Sequence, residues 1–314
     1  MSTMIETDNL GRYFGEIRAV DGISFRVGQG EVLGFLGPNG AGKSTTMKMI
    51  TCFLTPSFGT ARVAGFDIAS EQREVRTQIG YLPENAPLYG EMTVNWFLEF
   101  IAEIRRIPPA RRQDAIDRVV QMTSLEGVIN QRIETLSKGF KRRVGLAQAL
   151  IHDPKILILD EPTDGLDPNQ KHEVRQLINN MAKDKCIILS THILEEVDEV
   201  CTRAVIIAKG KLLVDATPDE LRARSRSHGA VAIDFRQGAV PGNALSQLRG
   251  LTGVREVAER KLSGGQVSFT LYPKDRGDSM LFSLLREAEK QQWKMDNLRM
   301  ETGQLDEVFR QITQ

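Results

Sequence analysis

The hydrophobic positions along the chain change from one period to another, and the change divides the sequence into regions. Between residues 136 and 215, short apolar runs at Ile156–Leu159, Cys186–Leu189 and Ala204–Ile207 alternate with stretches of helical spacing. A further apolar strand is predicted at Glu31–Leu36, directly before a helix that begins at Lys43. Strands that are apolar throughout and alternate with helices are typical of a parallel sheet buried on both faces. We therefore expect an α/β fold here.

Two regions differ from this pattern. Residues 1–80 carry short alternating strands around the first apolar strand, and residues 85–135 are helical. In the helical region, Val94–Arg105 forms one predicted helix, with apolar residues at helical spacing at Phe97, Leu98, Ile101 and Ile104. Two consecutive prolines end that helix, and Arg111–Met122 supplies the next one.

The last third of the chain differs in composition and in the order of its predicted elements. Arg222–Gly229 is polar and turn-rich, and is interpreted as a linker. The elements predicted beyond it are strand Val231–Phe235, helix Asn243–Arg249, strands Val254–Ala258 and Val267–Tyr272, helix Met280–Lys290, strand Trp293–Met300 and helix Leu305–Ile312. This order resembles a small α+β sandwich of the ferredoxin-like type. We expect two domains, residues 1–222 and 223–314.

The charge balance argues against a nucleic-acid partner. Lys plus Arg and Asp plus Glu number 41 each, so the net charge is zero, whereas a duplex-DNA binder normally has a basic excess. The three cysteines, Cys52, Cys186 and Cys201, are widely scattered. This spacing offers neither a zinc site nor a disulfide framework. Cys52 and Cys186 lie in apolar runs and are expected to be buried small hydrophobes.

The sequence contains no predicted membrane anchor. No segment approaches the roughly 18 apolar residues that span a bilayer, and the first residues, MSTMIETDNLGRYF, lack the pattern of a signal peptide. We expect a cytosolic chain that docks on other subunits if it serves a membrane process.

A phosphate-binding loop follows the first apolar strand. The loop matches the pattern GxxxxGK[ST] with the residues Gly37, Pro38, Asn39, Gly40, Ala41, Gly42, Lys43 and Ser44. Backbone amides and the positive end of the following helix dipole bind the phosphates. Lys43 is expected to reach the β and γ phosphates, the Ser44 hydroxyl to ligate Mg²⁺, and Thr45 to reach the α phosphate. The alternative is a Gly-rich turn that only opens a helix.

A second strand ends in two carboxylates. Lys155–Leu159 is followed by Asp160 and Glu161. Residues at the carboxyl ends of parallel strands lie in the ligand crevice of an α/β sheet. Asp160 is expected to hold Mg²⁺, and Glu161 to orient and deprotonate the attacking water. The alternative is an acidic strand end without a ligand.

With these motifs, residues 4 to about 220 resemble the nucleotide-binding subunit of an ABC transporter. Phe14 matches the aromatic residue that stacks on adenine, Leu136–Phe140 the signature motif, Gly165–Pro168 the loop after the second strand, and His192 the switch histidine. The catalytic residues are then Lys43, Glu161 and His192, and the metal-binding residues Ser44, Glu84 and Asp160. The nucleotide-binding set comprises Phe14, Gly37, Pro38, Asn39, Gly40, Ala41, Gly42, Lys43, Ser44, Thr45, Glu84, Ser137, Gly139 and Asp167.

The resemblance is strongest to export-type subunits whose membrane domains are separate polypeptides, through Tyr81–Glu84 and Ser137–Leu150. It implies a P-loop NTPase domain with a RecA-like core, an antiparallel β subdomain and a helical subdomain. The cofactors implied by the resemblance are ATP and Mg²⁺. The implied partners are separate transmembrane permease subunits and a second ATPase subunit, in a homodimer or heterodimer at the cytoplasmic face of the membrane. Glu84 stands where most of the superfamily has Gln, and Lys138 and Phe140 also depart from the usual signature.

A verbatim copy of the usual signature occurs elsewhere, at Leu262–Gln266. A working signature serine must start a helix, so that the helix dipole points at a phosphate of the partner subunit. Ser137 is predicted to cap a helix that runs to Asp153, whereas an alternating strand follows Ser263. We therefore interpret Ser263-Gly264-Gly265 as a hairpin turn.

Alternatives to transport remain open from the sequence. The same ATPase chemistry can drive extraction of a lipid or protein, or a non-transport process. His152 and His172 are expected to be structural, and His228 to be exposed in the linker. The last domain is expected to serve dimerisation or regulation, with a small-ligand sensor as the alternative.

Overall fold

The structure is a computed structural model that describes residues 2–235, 240–261, 266–274 and 279–313. Its internal contacts divide the chain into two units, Met1–Pro218 and Asp219–Ile312. The division lies close to the predicted boundary after Arg222. None of the helices in the described residues combines the length and apolar composition of a membrane-spanning segment.

The first unit mixes strands and helices throughout. Its elements in chain order are β1 (Thr3–Phe14), β2 (Ile17–Gly28), β3 (Val32–Leu36), α1 (Lys43–Ile50), β4 (Phe58–Val63), β5 (Phe66–Asp67), α2 (Gln72–Gln78), β6 (Ile79–Leu82), α3 (Val94–Ile104), α4 (Pro109–Met122), α5 (Lys138–Leu150), β7 (Ile156–Asp160), α6 (Pro168–Ala182), β8 (Cys186–Thr191), α7 (Leu194–Val200), β9 (Arg203–Ala208) and β10 (Lys211–Ala216). Short 3-10 turns lie at Glu126–Val128 and Ile133–Thr135.

A six-stranded sheet forms the core of this unit, in the order β10-β9-β3-β8-β7-β6. Every pair from β9 to β6 is parallel, and β10 joins as an antiparallel edge strand. All residues of β3, β7 and β8 are buried, as a parallel sheet covered on both faces requires. The predicted parallel sheet is confirmed, and its register places the carboxyl ends of β3, β7 and β8 at one edge.

A second sheet and a helical segment complete the first unit. The second sheet has the order β2-β1-β4-β5 and is antiparallel throughout. In α3, three of the four predicted core positions are buried, but Ile104, the last residue of the helix, is 57% exposed. Helix α4 begins at Pro109, two residues earlier than predicted, because proline is well accommodated at the first helical position. Helix α5 ends at Leu150, before the predicted end at Asp153.

The second unit has the ferredoxin-like topology predicted for it. Its elements are α8 (Pro218–Arg222, which begins in the first unit), β11 (Val231–Phe235), α9 (Ala244–Arg249), β12 (Val254–Lys261), β13 (Val267–Pro273), α10 (Ser279–Lys290), β14 (Met295–Met300) and α11 (Leu305–Thr313). The sheet has the order β12-β13-β11-β14 and is antiparallel. One hydrophobic cluster joins the sheet to α9 and α10 through Phe235, Leu248, Phe269, Leu271 and Leu284.

Two smaller expectations need correction. The predicted linker Arg222–Gly229 belongs to the second unit, where Ser225 is buried and its hydroxyl bonds to the Glu307 carboxylate of α11. Cys52 is only half-buried, because it follows the end of α1 with a left-handed backbone (φ 56°). Cys186, in contrast, is buried as expected.

His152 has the structural role expected of it. Its Nε2 lies 3.1 Å from the carbonyl oxygen of Ile79, and Nδ1 is buried without a hydrogen-bond partner in the described residues. The ring is therefore held in its neutral form. Burial, aided by the charge of Arg105, lowers the pKa of His152 to about 4.

This pKa predicts an acid-sensitive stability. The unfolded chain binds a proton at His152 near pH 6.5, whereas the folded chain resists it until about pH 4. Neutral, buried His152 therefore contributes to the free energy of unfolding above pH 6.5. This contribution is lost as the pH falls from 6.5 to about 4. We expect wild type to lose as much as about 3 kcal/mol more of its free energy of unfolding over this range than His152→Gln. Denaturant titration at several pH values measures this, with His172→Gln on the exposed face of α6 as the control; equal losses in all three proteins would contradict it.

Candidate nucleotide-binding site

The phosphate loop connects β3 to α1. Gly42 directly precedes the helix with a φ of 108°, a conformation that a residue with a side chain rarely adopts. A Cβ atom at Gly42 would lie 2.5 Å from the backbone oxygen of Ala19. Glycine at this position therefore lets the chain turn sharply and leaves the first amides of α1 open.

Lys43 is buried beneath the loop at the start of α1. Its ammonium donates to the carbonyl oxygens of Gly37 at 2.6 Å and Pro38 at 3.3 Å. Burial lowers the pKa of Lys43, while the carboxylates of Glu161, Asp160 and Glu84 act in the opposite direction. The loop thus holds one buried ammonium among three carboxylates, where an anionic phosphate complements it.

The loop borders a cavity of about 570 Å³, which we call the loop cavity. Its lining residues are Ala19, Asn39, Gly40, Ala41, Gly42, Lys43, Ser44, Thr45, Glu84, Glu161, Asp164 and His192. The cavity therefore brings together predicted residues from four separate parts of the sequence: the phosphate loop, Glu84, Glu161 and His192. Gly37 and Pro38 are not among the lining residues, and contribute carbonyl oxygens to Lys43 instead.

Oxygen donors for a metal lie beside the loop. The Ser44 hydroxyl donates to Oδ1 of Asp160 at 3.3 Å, and the Ser190 hydroxyl donates to the same oxygen. Glu84 lines the same cavity. A hydroxyl and carboxylates are hard oxygen ligands, and Mg²⁺ is commonly held by one or two such residues together with phosphate oxygens. These residues fit a magnesium ion that a bound nucleotide shares.

Glu161 and His192 form a hydrogen-bonded pair at the cavity. Nδ1 of His192 lies 2.8 Å from Oε2 of Glu161. Glu161 has a left-handed backbone (φ 52°), and its amide donates to the Ser190 hydroxyl at 3.0 Å. Burial raises the pKa of Glu161, and the charges of His192 and Lys43 oppose the rise. A carboxylate with a raised pKa is a better proton acceptor at neutral pH than an ordinary glutamate.

The signature residues lie outside the loop cavity of their own chain. The Ser137 hydroxyl oxygen accepts a hydrogen bond from the amide of Phe140 at 3.3 Å and caps α5. The Asp167 carboxylate accepts a hydrogen bond from the amide of Gln170 at 2.9 Å and caps α6. A Cβ atom at Gly139 would lie 2.2 Å from the side-chain oxygen of Gln170, so the Gln170 side chain would have to move to accept a larger residue there. Among the described residues that line the loop cavity, neither Ser137 nor Asp167 is present.

Phe14 also lies outside that lining. It ends β1, is 44% exposed, and has the Arg12 guanidinium 4.8 Å from its ring centroid. Ala19, on the adjacent strand β2, does line the cavity. Stacking of adenine on Phe14 stays a prediction.

Sequence reasoning missed Arg142, whose guanidinium is buried against the ends of two strands. Beyond β6, it donates to the carbonyl oxygens of Pro83 at 2.9 Å and Glu84 at 2.7 Å. At the end of β7 it donates to those of Asp160, Glu161 and Pro162. One signal was available: on α5, Arg142 shares a stripe of buried residues with Gly139, Leu146 and Ala149.

Asp164 was missed as well. It lines the loop cavity, and its carboxylate accepts from the Lys138 ammonium at 3.0 Å. Lys138, one of the departures from the usual signature, therefore joins the start of α5 to the loop after β7 within one chain.

The fold and the loop cavity together define a P-loop nucleotide-binding protein. Residues 20–164 match the family model of the ABC transporter domain. The chain is 32% identical over 314 residues to the daunorubicin resistance ATP-binding protein DrrA3 of Streptomyces coeruleorubidus, covering 99% of this chain and 96% of that protein. The chain belongs to the ATP-binding proteins of ABC transporters, a family whose members bind MgATP and hydrolyse it.

Other similarities agree with this family. The chain is 37% identical to the bacitracin transport ATP-binding protein BcrA of Bacillus licheniformis, over 73% of this chain and 74% of that protein. It is 38% identical to the probable multidrug ABC transporter ATP-binding protein YbhF of Escherichia coli, but the match spans 39% of that longer protein. A solved ATP-binding subunit of an ABC transporter superposes with a TM-score of 0.65 at 30% identity, covering 71% of this chain and 93% of that one.

Proposed function

We propose that this chain is the ATP-hydrolysing subunit of an ABC transporter of the export type. The observation that carries the proposal is the loop cavity, where the Glu161–His192 pair faces the same space as Lys43 and the Ser44 hydroxyl. The loop amides and Lys43 would hold the triphosphate. Ser44 and Asp160 would hold Mg²⁺, which neutralises charge that develops on the transferred phosphoryl group.

Within this site, Glu161 is the group that activates water. Its partly buried carboxylate has a raised pKa, and His192 fixes the orientation of that carboxylate through a hydrogen bond. Most of the rate enhancement is expected from positioning and charge neutralisation around the phosphates, since phosphoryl transfer needs little covalent chemistry from the protein.

A dimer completes the site in this proposal. Ser137 and Gly139 begin α5 and are not among the described residues that line the loop cavity of their own chain, so we infer that their helix terminus binds a nucleotide held by another copy. ATP-binding subunits of this family dimerise and act with membrane permease subunits. We infer that two chains, or this chain and a paralogue, enclose two MgATP molecules between the loop of one and the signature of the other. Preferential binding of ATP to the closed dimer would then shift the open–closed equilibrium.

Glu161→Gln tests both parts of the proposal. Glutamine keeps the size of the side chain but accepts no proton, so we expect hydrolysis to fall at least about a hundredfold. Bound ATP then persists, and the variant should elute as a dimer with retained nucleotide in excess MgATP. Size-exclusion chromatography with nucleotide analysis measures this, and exposed Glu126→Gln is the control. A variant that stays monomeric without nucleotide would refute the proposed mechanism.

The helical segment between β6 and α5 is the proposed docking surface for membrane subunits. It exposes large apolar side chains at Tyr89, Trp96 and Ile104, each more than half exposed. Glu84 lies at the start of this segment, lines the loop cavity, and has its backbone oxygen bonded to Arg142. It therefore joins the nucleotide site to the docking segment, and we propose that it transmits the closing motion.

This role predicts a change in coupling when Glu84 is replaced by Ala. The ratio of the ATPase rate with membrane subunits to the rate without them should fall to about one. Alanine lacks the carboxylate that, in this proposal, couples nucleotide binding to the docking segment. The ratio is measured in proteoliposomes containing the membrane subunits that copurify with the chain. Glu91→Ala, an exposed change in the same segment, should leave it intact. An unchanged ratio in Glu84→Ala would end the proposal.

Export rests on the relatives, which are named for multidrug transport, bacitracin transport, Nod factor export and daunorubicin resistance. These names favour a transporter subunit over the alternative of lipid or protein extraction. The proposed location is the cytoplasmic face of the membrane, bound to the permease subunits.

A further inference from the structure

The second unit contains a basic pocket that the proposed ATPase function does not use. The basic pocket has a volume of about 270 Å³ and is lined by Arg224, Arg226, His228, Arg255 and Lys274, together with small or neutral residues. No carboxylate is among the described residues that line it. Arg224, Arg226 and His228 are close in sequence, and the fold brings Arg255 and Lys274 beside them.

One wall of the basic pocket is fixed by hydrogen bonds. The Ser225 hydroxyl donates to the Glu307 carboxylate, and the amide of Arg226 donates to the same group at 3.2 Å. Nδ1 of His228 lies 2.9 Å from the carbonyl oxygen of Thr302. These bonds fix residues 225–228 in position before a ligand binds, and this preorganisation lowers the entropic cost of binding.

The nearby carboxylates are already engaged. Glu256 pairs with Arg226, whose guanidinium also lies 5.0 Å from the Tyr272 ring centroid. Within the part of the chain that the structure describes, no carboxylate lies within ion-pair distance of the side chains of Arg224, Arg255 or Lys274. Positively charged side chains that line one concave surface repel one another and create a positive potential there.

We propose that the basic pocket binds a phosphate monoester. A guanidinium presents a planar fork of donors that matches two phosphate oxygens, and the ammonium of Lys274 adds a point charge. The volume fits a single small phosphorylated group, since it lies just below the range of pockets for drug-sized ligands. Such a group can belong to a soluble phosphorylated compound or to a lipid headgroup, and both present the same chemistry.

The test uses the full chain with its nucleotide site saturated by MgADP, so that the phosphate loop does not contribute. Glycerol 3-phosphate is titrated by calorimetry, and vesicles of phosphatidylcholine with and without phosphatidic acid are tested by co-sedimentation. We expect Arg255→Ala/Lys274→Ala to bind at least about tenfold more weakly than wild type, since two charge-assisted hydrogen bonds are lost. Arg249→Ala/Arg286→Ala removes the same charge from exposed positions outside the basic pocket and should bind as wild type does.

Each possible result either supports or contradicts binding of a phosphate monoester in the basic pocket. Binding of glycerol 3-phosphate indicates a soluble phosphorylated ligand, and binding only to phosphatidic acid vesicles indicates a lipid headgroup; both support the basic pocket. The charge-retaining variant Arg255→Lys/Lys274→Arg should recover most of the affinity, which separates loss of binding from misfolding. Equal weakening in the two alanine double variants, or no binding of either probe to wild type, overturns it. Because MgADP fills the nucleotide site, this result is independent of the proposed hydrolysis.

Discussion

Replacing Ser137 with Arg is expected to abolish ATP hydrolysis, whereas the same change at Ser263 should leave the rate within about twofold. The two serines stand in similar pentapeptides, and the second has the more familiar sequence. Ser137 caps the helix α5, whose first amides and dipole are proposed to receive a phosphate of a partner subunit. Removal of one preorganised oxyanion donor commonly costs at least about a hundredfold in rate, and the bulk of arginine would also block closure of the dimer.

The structure places strands on both sides of the second pentapeptide. Residues 262–265 lie outside the described residues, but β12 and β13 pair antiparallel with Lys261 opposite Val267. A strand therefore follows Gln266, as the alternating pattern predicts, and the flanking strands supply no helix terminus for a phosphate. Substitutions away from packed or functional groups usually change the free energy of unfolding by no more than about 0.5 kcal/mol, so the folded, active population is expected to persist.

A steady-state ATPase assay on the two variants and wild type, with whole-chain thermal unfolding as a check on folding, decides between the serines. The interpretation of the signature is wrong if Ser263→Arg is the inactive variant and Ser137→Arg retains its rate.

Arg142→Met is expected to lower the hydrolysis rate at least about tenfold, with ATP affinity within about twofold of wild type. The guanidinium holds the carbonyl oxygens that follow β6 and β7, and those backbone segments carry Glu84, Asp160 and Glu161. Buried carbonyl groups that lose their donor cost about 1–3 kcal/mol each unless the backbone shifts. A shift would misplace Glu161, whereas the described hydrogen bonds of Arg142 do not include Lys43 or the loop amides, the groups proposed to bind the phosphates.

The charge of Arg142 matters as well. Burial lowers the pKa of its guanidinium, and the carboxylates of Asp160, Asp164, Glu161 and Glu84 oppose that effect. The cation therefore offsets negative charge beside the phosphates, including that of Glu84. Without it, protonation of Glu161 becomes more favourable, so the acid limb of the rate profile should move to higher pH.

Three measurements separate positioning from a general loss of structure. Equilibrium dialysis gives ATP affinity, steady-state assays give the rate and its pH profile, and Arg142→Lys tests the guanidinium geometry. Lysine keeps the charge but lacks the planar fork, so an intermediate rate with an unshifted acid limb is expected. Arg118→Met is the control, since Arg118 also donates to a backbone carbonyl, at Ile151, away from these strand ends. Equal losses of ATP affinity and rate in Arg142→Met would contradict a positioning role.

The sequence alone determined the order of the secondary-structure elements and most of the residues that line the loop cavity. The phosphate loop, the carboxylates after β7 and the histidine after β8 follow buried strands, so their meeting at one sheet edge is a consequence of parallel topology. Alternating and helical periods also predicted the ferredoxin-like order of the second unit, because each of its elements has one face toward a shared core.

The tertiary structure alone decided which distant groups meet through their side chains. Arg142 reaches carbonyl oxygens 58 and 59 residues earlier in the chain, and Arg226 pairs with Glu256 30 residues later. Arg222–Gly229 has the polar composition of a linker, yet it forms a wall of the basic pocket because Glu307 of α11 binds its backbone and hydroxyl groups. Periodicity reports which face of an element is buried; the partner of a charged or polar side chain depends on how the elements pack, and that is set only in the folded chain.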